Sequence, residues 1–132
     1  MPKMNGKVVI VGAGTAGMEA AGHLARAGCK VTLVEKESKT GGHIKSWFHL
    51  FPDRRDSAEV IEYLEKQIDH SNITLLNDTC MKAEKKHGSF IIRTKKGIDL
   101  DADAVLISTG FDLFRSERKE EYGYGIYDNV IT

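Results

Sequence analysis

The sequence predicts an α/β fold in which a doubly wound parallel sheet is combined with an antiparallel three-stranded β-meander. Over the first 76 residues, short β-branched runs alternate with amphipathic helical segments, as βαβ units require. Between residues 80 and 100 the pattern changes to short segments separated by turns that contain glycine. The chain has 132 residues, 41% of them hydrophobic and 29% charged, which is the size and composition of one globular domain.

The first βαβ unit is the clearest part of the pattern. Residues 7–11 (KVVIV) are a β-branched apolar run that ends at a glycine, which is typical of a buried parallel strand. Small and apolar residues recur at helical spacing over residues 15–27, and Gly28 ends the predicted helix. Residues 30–35 (KVTLVE) give the second strand, which completes a unit of the expected length.

The remaining elements follow the same alternation. Residues 56–69 predict a second helix with one apolar face, and residues 73–76 (ITLL) predict a third strand. After the meander, residues 104–107 (AVLI) predict a return to a buried parallel strand. We therefore expect a nucleotide-binding domain over residues 1–115 and a C-terminal tail over 116–132 that wraps the surface or continues into a longer parent protein.

Composition excludes several classes of function. Nineteen Lys and Arg balance nineteen Asp and Glu, so no net field attracts a nucleic acid. No segment approaches the roughly 18 apolar residues of a membrane span, and no signal peptide is recognisable, so we expect a cytoplasmic protein. Cys29 and Cys80 lie 51 positions apart, which suits neither a redox pair nor metal ligands, and we expect both to be buried apolar side chains.

A dinucleotide-binding fingerprint lies between the first strand and the first helix. Gly12, Gly14 and Gly17 form GxGxxG in the strand–helix–strand context that the Rossmann-like fold requires. The first glycine permits a tight turn, the second lets a diphosphate approach the backbone, and the third lets the helix pack closely on the sheet. Because a helix N-terminus attracts anions, we expect the backbone here to hold the diphosphate, with Ala13, Thr15 and Ala16 as the intervening contacts.

The second strand ends in an acidic residue at the position where a ribose is expected. Glu35 follows the glycines by about 20 residues, and its carboxylate can accept hydrogen bonds from ribose hydroxyls. A 2′-phosphate would be repelled there, which favours FAD or NAD over NADP, although Lys36 and Lys39 lie nearby. Lys36 is also a candidate cofactor contact.

The order of the motifs resembles the FAD-binding proteins of the glutathione reductase type. In that family a glycine pair follows the ribose-binding acid, as Gly41 and Gly42 do here, and a later strand ends in ATG, for which this chain has STG at residues 108–110. The resemblance covers residues 7–110. It implies FAD as the cofactor, with further contacts from Gly41, Gly42, His43, Thr109 and Gly110.

The C-terminal segment is similar to the flavin subunit of heterodisulfide reductase, the HdrA-like family that includes QmoA-like proteins. That family has an ATGFDPF-like stretch, a tyrosine–glycine repeat and NVIT. The counterparts here are Gly110, Phe111, Asp112, Phe114, Tyr122, Gly123, Tyr124, Gly125, Asn129, Val130, Ile131 and Thr132. This resemblance implies a flavoprotein oxidoreductase that transfers electrons through FAD to or from iron–sulfur or other redox subunits of a larger complex.

The chain also departs from that family. HdrA-like proteins commonly carry cysteine-rich segments, whereas two isolated cysteines cannot supply the roughly four thiolates of an iron–sulfur cluster. No catalytic residue and no metal ligand can be named. Two alternatives stay open: an NAD(H)-binding domain, which Glu35 alone permits, and a non-catalytic assembly module that keeps the fold. His43 lies either near the flavin or its ribityl chain or in a solvated loop.

Overall fold

A computed structural model describes residues 5–131 of the chain. Residues 1–4 and Thr132, which the predicted domain and tail include, lie outside the described residues. In chain order the elements are β1 (Lys7–Val11), α1 (Thr15–Arg26), β2 (Lys30–Glu35), a 3-10 helix (Gly42–Ser46), β3 (His49–Leu50), β4 (Arg55–Asp56), α2 (Ser57–Ile68), β5 (Ile73–Asn77), β6 (Cys80–Lys86), β7 (Ser89–Thr94), β8 (Asp99–Ala102), β9 (Ala104–Ile107) and two further 3-10 turns (Ser116–Arg118 and Glu120–Tyr122).

Four strands form one parallel sheet in the order β5-β2-β1-β9. Each neighbouring pair is parallel, with Val8 opposite Val31 and Ala104 on its two sides. A parallel connection needs a crossover, and the two helices supply the crossovers from β1 to β2 and from β2 to β5. The predicted doubly wound, Rossmann-like sheet is confirmed.

The core lies between this sheet and the two helices. Ile10 on β1, Leu33 on β2 and Met18 on α1 are fully buried, and Leu64 of α2 joins the same cluster. Each such side chain stabilises the fold by about 1.5–3 kcal/mol through removal of its surface from water. Gly28, with a φ of 102°, follows the C-cap of α1 at Ala27 and so ends the helix, as the sequence predicts.

The strands β6, β7 and β8 form an antiparallel meander that packs on the parallel sheet. Ile92 of β7 is fully buried and packs in a second cluster with Val9, Val34 and Ala102. Val9 and Val34 alternate along their strands with the residues of the first cluster, so the meander packs on the sheet face opposite the helices. The three strands confirm the predicted meander.

A buried carboxylate, Asp78, joins the end of β5 to the meander. Its oxygens accept hydrogen bonds from the backbone N–H of Thr79 at 2.7 Å and of Lys96 at 3.3 Å. Burial acts to raise the pKa of Asp78, but hydrogen bonds from the Thr94 side chain and from these two N–H groups outweigh it and hold the pKa below its ordinary value. The folded structure therefore favours the charged form of the Asp78 carboxylate.

Two regions are more exposed than the sequence patterns predict. β9 is an edge strand, and Leu106 and Ile107 are 38% and 66% exposed, so the prediction of a buried strand is wrong there. Cys29 is buried as expected, whereas Cys80 is half-buried. Among residues 5–131, no helix is both long enough and apolar enough to cross a membrane.

Candidate functional site

Three loops meet at the carboxyl ends of β1, β2 and β9, the edge of a parallel sheet at which ligands bind in folds of this class. We call them the phosphate loop (residues 12–17), the GG turn (residues 41–42) and the STG segment (residues 108–110). All three contain positions that the sequence marks as cofactor contacts. The structure brings all three loops together.

The phosphate loop packs against the STG segment without room for side chains. Gly12 has a φ of 104°, and a Cβ atom there would lie closer than 3.0 Å to the backbone of Ser108. A Cβ atom on Gly17 would collide with the Gly12 carbonyl oxygen and lie 2.7 Å from Ser108 Oγ. Gly12 therefore lets the STG segment pack on the turn after β1, and Gly17 lets α1 pack on the same turn.

The N-terminus of α1 is open to an anion. Its N-cap is Gly14, which makes no side-chain capping hydrogen bond, and its first turn contains no acidic residue. In α2, by contrast, Asp56 caps the Ala58 N–H at 2.8 Å and Glu59 lies in the first turn. Because both helices carry a positive N-terminal dipole and only that of α2 is balanced by side chains, α1 is the better place for a negative group.

Gly14 faces empty space on one side and the GG turn on the other. A Cβ atom built on Gly14 would meet nothing within 4 Å. A Cβ atom on Gly42, which has a φ of 58°, would lie 3.2 Å from Gly14 Cα. The backbone of the phosphate loop is thus accessible where a diphosphate is expected, as the absence of a side chain at Gly14 allows.

Glu35 is buried behind the phosphate loop, with 8% of its surface exposed. Its Oε2 accepts a hydrogen bond from the Ala13 N–H at 2.7 Å, and its Oε1 accepts one from the Glu37 N–H at 2.9 Å. The Asn77 side chain donates to the Glu35 carbonyl at 3.1 Å and fixes the end of β2. Since a carboxylate accepts about four hydrogen bonds, the two backbone N–H groups leave about two of its acceptor positions unused.

The GG turn is held to the phosphate loop through the backbone. The Gly41 N–H donates to the Ala13 carbonyl at 2.8 Å. Gly41 and Gly42 have φ values of 103° and 58°, in the left-handed region that favours glycine, and the 3-10 helix begins at Gly42. The glycine pair is therefore required by the turn itself as well as by its closeness to Gly14.

The third loop is tied in by a serine and a histidine. Ser108 Oγ donates to the Val11 and Gly12 carbonyls at 3.1 and 2.9 Å. His43, the residue after the GG turn, forms a hydrogen bond of 2.6 Å from Nε2 to the Phe111 carbonyl. The rings of His43 and Phe111 are also in contact, with centroids 5.1 Å apart and planes tilted by 39°.

The predicted residues occupy unequal positions in this site. Thr15 and Ala16 are exposed on the first turn of α1, and Thr109 and Gly110 are exposed after β9. Lys36 is exposed, and its ammonium pairs with no group among residues 5–131.

Three residues of the site have contacts that the sequence does not predict: Asn77, Ser108 and Phe111. For Ser108, its place in the STG motif is the available signal. The contacts of Asn77 and Phe111 become apparent only from the fold, because their partners are distant in the chain.

An open groove runs between α1 and α2 from the first turn of α1. Its volume is about 640 Å³, and Arg55 lines it opposite Thr15 and Ala16. Its other lining residues are Glu19, Glu59, Val60, Tyr63 and Leu64. No cluster of three or more potential metal ligands occurs in the part of the chain that the structure describes.

The family of the chain follows from a match that extends over nearly all of it. Residues 6–128 match the family described as pyridine nucleotide-disulphide oxidoreductase. The chain belongs to this family. Membership confirms the prediction of an oxidoreductase domain with a nucleotide-binding fold.

Relatives of this pyridine nucleotide-disulphide oxidoreductase domain include HdrA proteins of heterodisulfide reductases. HdrA of the ferredoxin/F420H2-dependent CoB–CoM heterodisulfide reductase of Methanosarcina acetivorans is 26% identical, over 98% of this chain and 27% of that protein. An HdrA-like protein of Archaeoglobus profundus is 36% identical, over 68% of this chain and 13% of that protein. The chain thus spans about a quarter of the length of the first relative. The resemblance to the HdrA-like family is confirmed.

Solved structures of oxidoreductases share the fold. L-proline dehydrogenase from P. horikoshii superposes with a TM-score of 0.69 and 26% identity, over 81% of this chain and 23% of that one. An oxidoreductase from Agrobacterium tumefaciens gives a TM-score of 0.64 and 25% identity, over 81% and 37%. These similarities agree with the family assignment.

Proposed function

We propose that the chain is the FAD-binding domain of a flavoprotein oxidoreductase of the HdrA-like, heterodisulfide reductase type. The observation that carries the proposal is the open space at Gly14, beside the uncapped N-terminus of α1 and the Glu35 carboxylate. When bound, FAD supplies the redox chemistry, while the protein supplies binding, orientation and electrostatics. The proposed roles of the residues are therefore binding roles.

The diphosphate is assigned to the phosphate loop. The N–H groups of Thr15, Ala16 and Gly17 belong to the first turn of α1, whose N–H groups have no partner within the helix. A diphosphate placed there receives hydrogen bonds and the favourable potential of the helix dipole. Arg55 lines the adjoining groove together with Glu19 and Glu59, so the attraction for the diphosphate is assigned to the helix N-terminus and not to the groove.

The adenosine ribose is assigned to Glu35. Two acceptor positions of its carboxylate are used by backbone N–H groups, which fix its orientation, and two are available to the 2′- and 3′-hydroxyls. A 2′-phosphate would place negative charge beside this carboxylate, so NADP is disfavoured. The exposed Lys36 lies next to it and is a candidate for a peripheral contact.

FAD is preferred to NAD because of the other two loops. A dinucleotide-binding site needs the phosphate loop and the acid, whereas the GG turn and the STG segment are the features in which this chain resembles FAD-binding proteins. In the structure both contact the phosphate loop, Gly41 through Ala13 and Ser108 through Gly12. The preference for FAD therefore rests on the presence of these two further loops, which pack on the phosphate loop as the resemblance to FAD-binding proteins leads us to expect.

Electron partners are proposed from the relatives. The heterodisulfide reductase relatives are named as subunits, and the one from Methanocaldococcus jannaschii is named as an iron–sulfur subunit. Cys29 and Cys80 are too few to hold a cluster. We therefore propose that an iron–sulfur or other redox centre elsewhere in the parent protein or its complex exchanges electrons with the flavin. The cytoplasmic location stays a prediction.

The test is retention of FAD by the purified chain. Protein is mixed with FAD, separated from free cofactor by gel filtration and examined for flavin absorption, and affinities for FAD, ADP and NAD⁺ are measured by calorimetry. We expect FAD to co-elute with the protein. Saturable binding of NAD⁺ with indifference to FAD would establish the NAD-binding alternative, and indifference to all three would overturn FAD binding by this chain and favour the non-catalytic module.

Glu35→Gln tests the ribose assignment. Loss of charge-assisted hydrogen bonds should weaken FAD binding by about 10- to 100-fold, since a bond to a charged group contributes about 1.5–3 kcal/mol. Glu37→Gln is the matched control, because Glu37 is an exposed carboxylate two residues away and should leave the affinity unchanged. Equal affinities of the two variants would refute the role of Glu35.

A further inference from the structure

We propose that His43 and the Phe111 carbonyl form a clasp beside the site assigned to FAD, and that this clasp controls the rate at which FAD enters and leaves. The proposal rests on the proposed function, because it assigns kinetics to the same site. It assigns His43 a role other than direct contact with the flavin. The clasp is defined by the hydrogen bond of 2.6 Å from His43 Nε2 to the Phe111 carbonyl and by the contact of the two rings.

The clasp completes a closed circuit of loops. The phosphate loop contacts the GG turn through the Ala13–Gly41 hydrogen bond and the STG segment through Ser108 and Gly12. These two contacts use the backbone of glycine and alanine or a short serine side chain. The remaining connection, between the chain after the GG turn and the chain after the STG segment, is made by His43 and Phe111.

The STG side of the clasp has little else to hold it. Between residues 109 and 114, the hydrogen bond from His43 is the one that the described residues make. Phe111, Leu113 and Phe114 are 60%, 58% and 64% exposed, so packing against the domain holds this segment weakly. Segments with few buried contacts and few hydrogen bonds open at low free energy.

The His43 side of the clasp is anchored. His43 lies in the 3-10 helix that begins at Gly42, and the next residue, Ile44, is buried. Ser46 Oγ donates to the His43 carbonyl at 2.8 Å and holds the backbone of this turn. An anchored histidine that binds a weakly held segment is the arrangement of a latch, in which the segment that contains Phe111 moves.

In the hydrogen bond of the clasp, His43 is the donor. The Phe111 carbonyl can only accept, so His43 Nε2 carries the hydrogen and donates. Glutamine can replace this donor, whereas phenylalanine can replace the ring and not the donor. The two substitutions therefore separate the hydrogen bond from the ring contact.

The experiment measures association and dissociation rates of FAD by stopped-flow fluorescence for the wild type, His43→Phe and His43→Gln. We expect His43→Phe to raise both rates by about 10-fold, the factor that corresponds to about 1.4 kcal/mol, while Kd changes by less than about threefold because both rates rise. His43→Gln should return both rates most of the way to wild type. His87→Asn, in the distant meander turn where a φ of 49° suits asparagine, is the control and should change neither.

Binding of ADP and proteolysis of the cofactor-free protein distinguish the clasp from other roles. ADP lacks the flavin half, so its affinity should be the same in all variants. Chymotrypsin should cleave after Phe111 and Phe114 faster in His43→Phe than in wild type, as identified from fragment masses. Unchanged FAD rates, or a rise in dissociation rate with no change in association rate, would overturn the clasp; the latter would make His43 a direct ligand. A wild type that binds no FAD overturns the proposed function, and the clasp falls with it.

Discussion

Gly14 and Gly17 are three residues apart in the phosphate loop. We expect an added methyl group to affect mainly the stability of the fold at Gly17 and mainly the binding of FAD at Gly14. Gly17→Ala should destabilise the protein whether or not the cofactor is bound. Gly14→Ala should destabilise the cofactor-free protein less than Gly17→Ala does, and should weaken FAD binding. The difference arises because a Cβ atom meets the protein at Gly17 and empty space at Gly14.

The magnitude at Gly17 is a balance of two effects. Alanine favours the helix by about 0.5–1 kcal/mol over glycine. Overpacking typically costs about 1–3 kcal/mol, and the upper half of that range applies because the new Cβ meets the backbone oxygen of Gly12 as well as Ser108 Oγ. The net loss of about 1–2.5 kcal/mol in the free energy of unfolding corresponds to a fall of about 3–10 °C in Tm.

The magnitude at Gly14 is smaller for the fold and larger for the cofactor. Gly14 has a φ of −77°, which alanine adopts without strain. At an N-cap, alanine is less favourable than glycine by about 0.5–1 kcal/mol, or a few degrees in Tm. A methyl group in the space assigned to the diphosphate should lower the affinity for FAD by at least about 10-fold, since about 1.4 kcal/mol of lost contact suffices for that factor.

The assay is thermal unfolding by circular dichroism without FAD, together with calorimetric titration of FAD. A Gly17→Ala protein that melts at or above the wild-type temperature would refute the packing argument. A Gly14→Ala protein with wild-type affinity would show that the diphosphate does not lie there. If both variants lost stability equally, the distinction between structural and binding glycines would be wrong.

Two further predictions concern titrating groups away from the site. Asp78→Asn should lower the urea midpoint of unfolding at neutral pH, because folding lowers the pKa of Asp78. This stabilisation is complete above the unfolded pKa of about 4 and is lost as the pH falls through the folded pKa. The urea midpoints of wild type and variant should therefore converge in acid, and a gap that stays constant with pH would contradict the prediction. Burial raises the pKa of the Cys80 thiol, and Cys29 is only 1% exposed. Both cysteines should therefore react slowly with Ellman's reagent until the protein unfolds. Fast labelling of Cys80 in the native protein would refute this prediction.

The elements that the sequence predicts well are those whose signals are local. The sequence predicts β1, α1 and β2 at residues 7–11, 15–27 and 30–35, and the structure differs only in ending α1 at Arg26. β1 and α1 are recognised by their periodicity and a terminating glycine, and β2 by a β-branched run that ends at Glu35, so no distant contact is needed to recognise these elements. The short strands β3 and β4 carry no such signal, and the sequence does not predict them.

The contacts that complete the site depend on distant parts of the chain. Ser108 reaches Gly12 across 96 positions, and His43 reaches Phe111 across 68. The predicted burial of β9 is wrong for the same reason: an apolar run predicts a strand, but whether the strand is central or at an edge is decided by the sheet order. Sequence motifs identify the loops that are proposed to bind the cofactor, and the fold determines how these loops contact one another.

The charge of the chain illustrates the same division. A net charge of zero offers no general attraction for a diphosphate, yet the positive potential at α1 comes from unpaired backbone N–H groups and an absence of acidic side chains in the first turn. Such a potential does not depend on net charge and acts only within about one helical turn. Because it is short-ranged, the glycine at position 14 is what lets an anion reach it. In the proposed site, backbone geometry therefore supplies the affinity for the diphosphate, and the side chain of Glu35 is proposed to select the sugar.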